Sequence, residues 1–278
     1  MLSSTRLDGI ALVVGGASGI GQQAVYSLAE AGAEVIVLAD LNEEGAIATA
    51  EESKQYASNK NYRTATFKVD VTDAEQVHGM VDFVVREFGR LDYCVNSAGV
   101  DNGIHAPVAD TDIDNFSKVQ DVNSKGLMLC VRAEAAAMRK QEPRTFRGRS
   151  GERDIGRGAI VNMASANSFA GLPGKMSYTV SKHAALALTK MAGMDHASEG
   201  IRCNAVCPTW VQTPLLDVEF QKNPQSYAEM SAVVPIERAA KCEEVSDAIA
   251  FLCSPAASYI NGTSLVIDCA VTTTIRLH

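Results

Sequence analysis

A short β-branched run, Ile10 to Val14, leads directly into Gly15-Gly16-Ala17-Ser18-Gly19-Ile20-Gly21, and a helical pattern follows from Gln22 to Ala31 before Gly32. Strand, glycine-rich turn and helix in this order restrict a chain more than any composition does. The turn needs residues without a Cβ, the helix must pack on the strand, and the next strand must lie parallel to the first. The same alternation continues. Further short apolar runs fall at 34–39, 64–69, 91–95, 159–164, 201–207 and 265–267, separated by helical patterns. Seven strands alternating with helices predict one α/β domain across 278 residues, with a parallel sheet covered on both faces. At 46% hydrophobic residues the chain can fill such a core, and no internal repeat or interdomain linker interrupts it.

Each glycine of the turn serves a separate need. One glycine lets the chain turn sharply, one lets the backbone approach a pyrophosphate, and one lets the helix pack close to the strand. The helix start then offers free N–H groups and the positive end of its dipole to phosphate. The second strand ends at Asp40, about 20 residues after the turn, where a carboxylate accepts hydrogen bonds from both ribose hydroxyls and repels a 2′-phosphate. Leu41 and Asn42 follow, and Ser18 adds no positive charge, so the pattern favours NAD over NADP. Asp40 also suits the N-cap of a helix from Glu43. Asp70, after the third strand, is placed for an adenine contact or a simple turn. Asn96-Ser97-Ala98-Gly99, after the fourth, leaves space for a cofactor with small residues.

A predicted helix over 173–197 carries Tyr178 and Lys182, four apart and therefore on one face. A free phenol titrates near ~10, and a cation beside it is expected to lower that value toward the range useful for proton transfer. Ser165 follows the fifth strand. Asn123 sits inside an expected single helix over 111–138, an unfavourable place for Asn unless its side chain is needed for hydrogen bonding.

Net charge is −8, which argues against nonspecific nucleic-acid binding. No stretch is long and apolar enough to span a bilayer, the first eight residues lack a signal-peptide core, and 275–278 match no targeting signal. Seven cysteines without C-x-x-C, and scattered histidines, indicate reduced thiols in the cytoplasm and no metal site. His183 is read as structural. The segment 139–158 holds seven basic residues against three acidic ones and reads as an exposed, mobile insertion. The stretch 210–235 reads as an irregular apolar lid over a pocket also built from 101–105 and 166–176. That suggests a medium-sized, mostly apolar alcohol or ketone, of which a cyclic one is an example.

With these residues in order, the chain resembles the classical short-chain dehydrogenase/reductase family along its length. Gly15, Gly19 and Gly21 match the glycine motif, Asn96 to Gly99 the N-N-A-G segment, and Asn123, Ser165, Tyr178 and Lys182 the catalytic tetrad. Asn204 to Pro208 with Thr213 resemble the nicotinamide-facing segment, and Asn261, Gly262 and Asp268 the C-terminal element. The phrase from Ala164 to Pro173 is similar to fungal members linked to secondary metabolism. The resemblance implies a Rossmann-type three-layer sandwich and an NAD(H)-dependent oxidoreductase interconverting a secondary alcohol and a ketone. Tyr178 would then be the acid/base, Lys182 its modulator and ribose ligand, Ser165 the partner of the reacting oxygen, and Asn123 the holder of a proton-relay water. It also adds Ser18, Ile20, Val71, Ala98, Gly99, Pro208 and Val211 to the cofactor contacts, and implies a homotetramer or homodimer through the long helices. Val14, Thr209 and Cys269-Ala270 depart from the family pattern without removing a catalytic group. Three alternatives stay open: an NADPH-dependent ketoreductase, redox-neutral chemistry on a retained cofactor, and a nucleotide-binding scaffold without turnover.

Overall fold

The computed structural model describes residues 3–273; the readings made at Met1, Leu2 and 275–278 lie outside them. In chain order the elements begin β1 (Ile10–Val14), α1 (Gly19–Ala31), β2 (Val35–Asp40), α2 (Glu43–Ser53), β3 (Arg63–Lys68), α3 (Ala74–Phe88) and β4 (Tyr93–Asn96). They continue with α4 (Ile113–Gln120), α5 (Leu127–Met138), β5 (Arg144–Gly148), β6 (Gly151–Gly156), β7 (Gly158–Met163), α6 (Met176–Asp195) and β8 (Ile201–Pro208). Last come α7 (Pro214–Lys222), α8 (Gln225–Val233), α9 (Cys242–Cys253) and β9 (Ser264–Ile267). Seven strands form one parallel sheet in the order β3-β2-β1-β4-β7-β8-β9. The order reverses between β1 and β4, and a ligand crevice is expected at such a switch point, at the carboxyl ends of the strands.

The inner strands read as unbroken apolar runs because both of their faces are covered: β1 is buried at every position and β2 at all but its last. One core cluster joins the sheet to α3, α5 and α6, and another joins its opposite face to α1, α2 and α9. Helix α3 shows how the sequence sets this up. The Asp73 carboxylate accepts from the Glu75 and Gln76 N–H groups at the helix start, and Val77, Met80, Val81 and Val84 form one buried stripe. Each such side chain contributes roughly 1.5–3 kcal/mol when taken out of water. Gly89, with φ +83°, ends the helix in the left-handed region.

Three expectations need correction. The single helix over 111–138 is α4 and α5 joined by a π-helical turn at Asp121–Gly126, which holds Asn123. The segment 210–235 is not irregular but carries α7 and α8. Thr213 caps α7 by accepting from the Leu216 N–H, and Pro214 occupies its first turn. The basic insertion is an ordered antiparallel hairpin, β5–β6. Its charges are used in docking. Arg144 meets Asp8, Asp92 (3.2 Å) and the Tyr93 hydroxyl (3.2 Å). Arg153 donates to the Pro255 carbonyl (2.8 Å) and covers the Phe146 ring, and Arg157 donates to the Gln141 and Glu199 carbonyls. A count of charges along the chain does not register partners so distant in sequence.

Candidate active site

A cleft of about 650 Å³ opens along the carboxyl ends of the strands. Gly15, Ser18, Gly19, Ile20, Asp40, Asp70, Val71, Ala98 and Gly99 line one end. Ser165, Tyr178, Lys182, Pro208, Val211 and Thr213 line the middle. Gly15 has φ +85°, and a Cβ there would stand 2.5 Å from the Ala98 backbone nitrogen. Gly21 does not line the cleft. A Cβ on it would stand 2.0 Å from the Gly15 carbonyl oxygen, so its role is the close packing of α1 on the turn. The Ser18 side chain makes no capping bond, so the first N–H groups of α1 are left for another acceptor.

Asp40 accepts from the Ala17 N–H (3.0 Å) and the Asn42 N–H (2.9 Å), one on each oxygen, and both oxygens keep capacity for hydroxyl donors. It is not the cap of α2; Asn42 is, accepting from the Gly45 N–H. Asp70 accepts from the Thr72 N–H and hydroxyl, which closes a turn at the cleft edge. Asn96 points elsewhere. Its amide donates to Glu134 (2.9 Å) and Asn162 (3.0 Å), and Asn96, which the family resemblance puts among the cofactor-binding residues, does not line the cleft. Glu134 is wholly buried, and its Oε1 has no hydrogen-bond partner among the described residues. Burial pushes its carboxyl up to about 7, against the pull of the Asn96 amide.

Tyr178 and Lys182 do share one face of α6, with the ammonium 5.4 Å from the phenol ring centre. The ammonium donates to the Met163 carbonyl (2.9 Å). Burial lowers Lys182 to about 8. The phenol goes the opposite way from the expectation. Burial, then the negative charge of Asp101, holds Tyr178 well above its ordinary value, with the Ser165 hydroxyl pulling it back only in part. The pattern of residues gave the pairing but not the desolvation, which acts on both partners. Ser165 accepts from the Asn167 N–H (3.2 Å) and caps a short turn after β7. Asn123 is buried under the cleft floor: it accepts from the Val100 N–H (2.8 Å) and donates to the Val100 carbonyl and the Ser181 hydroxyl. The extra residue of the π turn sets it at this depth, a device common at functional sites.

The far end of the cleft holds a cluster the pattern of residues did not reveal. Lys175, 4% exposed, donates to Asp101 (3.0 Å) and Glu219 (2.5 Å), and Glu219 also bonds His105 (2.8 Å). Lys175 is one helical turn before Tyr178, a spacing legible in hindsight. Glu219 lies in the segment read as apolar. Among the described residues no group of side chains could hold a metal ion, and no helix is long and apolar enough to cross a membrane.

A protein-family model described as enoyl-(acyl carrier protein) reductase matches residues 15–272. The short-chain dehydrogenase anuF of Penicillium roqueforti is 38% identical over 98% of both chains. The short-chain dehydrogenase fogB of Aspergillus ruber is 40% identical over 96% of this chain and 98% of its own. The crystal structure of levodione reductase superposes with a TM-score of 0.86 at 29% identity, covering 98% of this chain and 99% of that one. The chain belongs to the short-chain dehydrogenase/reductase family, as an NAD(P)-dependent enzyme acting on alcohol or ketone substrates.

Proposed function

We propose that this is an NAD(H)-dependent oxidoreductase interconverting a secondary alcohol and a ketone on a medium-sized, largely apolar substrate, such as a cyclic secondary metabolite. The observation that carries it is the convergence of Tyr178, Lys182 and Ser165 on one cleft wall, in line with a glycine cradle and Asp40. The cradle fits a dinucleotide: the space a Cβ would fill at Gly15 is closed to any larger residue, and Asp40 keeps acceptor capacity for two ribose hydroxyls. Gly15, Ser18, Gly19 and Ile20 would hold the pyrophosphate, Asp70 and Val71 the adenine side, and Lys182, Pro208, Val211 and Thr213 the nicotinamide side. When bound, the nicotinamide supplies the hydride chemistry.

The chain's own residues handle the proton. A phenol held above its ordinary pKa stays protonated at neutral pH, so Tyr178 acts there as the acid that delivers a proton to the carbonyl oxygen. Ser165 holds that oxygen. Asn123 braces Val100 and, in this reading, a water leading to Lys182. The protonated phenol suits the reductive step, and the rate of the oxidative step is expected to gain as pH rises.

The sheet and its helices work as one catalytic domain with 210–235 as the lid. Exposed Val180, Met191 and Met194 on α6 and Ile113 on α4 suit burial in a homodimer or homotetramer. Free thiols at all seven cysteines fit a reducing cytoplasm.

The test is titration of NADH and NADPH by nicotinamide fluorescence, followed by a panel of ketones. NADH preference with turnover is the expected result. NADPH preference would overturn the Asp40 argument, and binding of neither would leave a scaffold. Tyr178→Phe is expected to lower kcat about 10³-fold with NADH affinity unchanged; activity within threefold of the parent would remove Tyr178 as the acid.

A further inference from the structure

The substrate end of the cleft is not uniformly apolar. Its wall includes Leu172, Trp210, Leu215 and Leu216, but also the Lys175 ammonium with Asp101 and Glu219. Burying an ammonium and two carboxylates is costly unless they pair, and here they do. What remains after pairing is informative. An ammonium has three N–H donors. Two go to Asp101 and Glu219, and the third has no partner among the described residues. Asp101 has about four lone-pair sites. One accepts from Lys175 and one from the Gly103 N–H (3.2 Å). The pair thus sets a spare donor beside a spare acceptor in the cleft wall.

We propose that Lys175 and Asp101 form a specificity subsite for a second hydroxyl group, one that does not react, on an uncharged substrate whose body is apolar. This rests on the dehydrogenase reading above and names the substrate class within it. Among simple oxygen groups a hydroxyl uses both halves of the pair, donating to Asp101 while accepting from Lys175. A plain carbonyl or ether uses only the donor. A carboxylate or phosphate meets the negative charge of Asp101 and Glu219, so anionic substrates are disfavoured. Lys175 is the residue just before α6, three positions ahead of Tyr178, and Asp101 is close enough for its charge to act on the Tyr178 phenol. The recognised hydroxyl therefore sits within the same ring system as the reacting carbon. Glu219 completes the subsite from the lid. Its remaining bonds, from His105, Asn223 and Ser226, fix its carboxylate so that Lys175 cannot swing away. A site built to pair a hydroxyl discriminates strongly against the analogue lacking it, because the buried donor and acceptor are then left unmatched.

Trp210 is the one tryptophan of the chain and lines the cleft, so its emission reports occupancy without turnover. The experiment titrates it with tetralone, a bicyclic ketone, with its ring-hydroxylated isomers, and with the matching methyl ethers. NADH binding and thermal melting are measured alongside. At least one hydroxylated isomer is expected to bind about tenfold or more tighter than tetralone and than its own methyl ether. Asp101→Asn and Lys175→Gln are expected to erase that preference while tetralone and NADH binding stay within about twofold. The proposal is overturned if the parent protein shows no preference or binds none of the ketones. It also fails if the variants weaken hydroxylated and plain ketones alike, or if the preference survives in both. Should Lys175→Gln unfold by leaving two carboxylates unpaired, the near-isosteric Asp101→Asn decides alone. A preference for the hydroxyl without NADH consumption would sink the dehydrogenase reading and leave the subsite standing. Equal turnover of plain and hydroxylated ketones would do the reverse.

Discussion

The two ends of the cleft are built from different materials. The end proposed for the cofactor is backbone and small side chains: Gly15 and Gly19 in the turn, Ala98 and Gly99 opposite, and one carboxylate, Asp40, fastened by two N–H groups. The end proposed for the substrate is charged side chains from three separate segments, with Lys175, Asp101, Glu219 and His105 holding one another. A cradle of backbone tolerates no added atom but holds its shape without partners. A cradle of charges keeps its shape only while each partner is present. The same contrast separates the two buried lysines of the α6 region. Lys175 faces two carboxylates, whereas Lys182 has a carbonyl and a ring face, and burial lowers it to about 8.

The contrast is tested hardest at Gly15. Gly15→Val forces a branched side chain into the left-handed region and against the Ala98 backbone. NADH affinity is expected to fall roughly 100-fold, from ~2–3 kcal/mol of strain, with a lower melting temperature. A fluorescence titration showing parent-like affinity would mean that the backbone end yields as easily as the charged one.

Glu134, beneath the floor, tests the reverse case of a charge with no full set of partners. Its folded carboxyl titrates near 7, above its ordinary 4.5. Between those values the folded state holds a proton the unfolded state has released, so stability falls as pH rises from about 4.5 to about 7. Glu134→Gln removes that dependence. It is expected to add about 1–3 kcal/mol at pH 8 and little at pH 5, measured by urea unfolding. A loss of stability at both pH values would show instead that the carboxylate has a partner there.

A smaller effect is expected at Glu219. Glu219→Gln keeps the shape and removes the charge that holds Lys175 and His105. The KM for ketone is expected to rise about tenfold, with NADH affinity unchanged. If both constants moved together, the two ends would be one mechanical unit rather than two.

The same difference explains what could be read from the sequence. Backbone requirements leave local marks. Glycines at Gly15, Gly19 and Gly21, and the apolar runs of β1 and β2, are visible within a few residues, and so the sheet and the cofactor end are legible. Tyr178 and Lys182 are legible because a helix brings near neighbours together. The Lys175 cluster joins positions 101, 105, 175 and 219, and nothing local marks such a meeting. The hairpin β5–β6 was hidden for the same reason: its arginines find partners up to 136 positions away. Lys182 and Tyr178 could be paired on paper, but the direction of their titration depends on how much water the fold removes, and that is a property of the whole cleft.

The hairpin has a consequence for the lifetime of the fold. Arg144 reaches back to Asp8, and Arg153 reaches forward to Pro255 and Ser258, so the hairpin ties the segment before β1 and the segment after α9 to the amino side of the sheet. Contacts this far apart in sequence close late, after the local strand–helix units have formed. Interactions absent from the folding barrier slow unfolding and leave refolding untouched. Arg153→Ala is therefore expected to hasten unfolding about fivefold in a denaturant jump with an unchanged refolding arm. What resembles a charged appendage on the side away from the chemistry would then act as a clock on the native state, setting how long each folded molecule lasts.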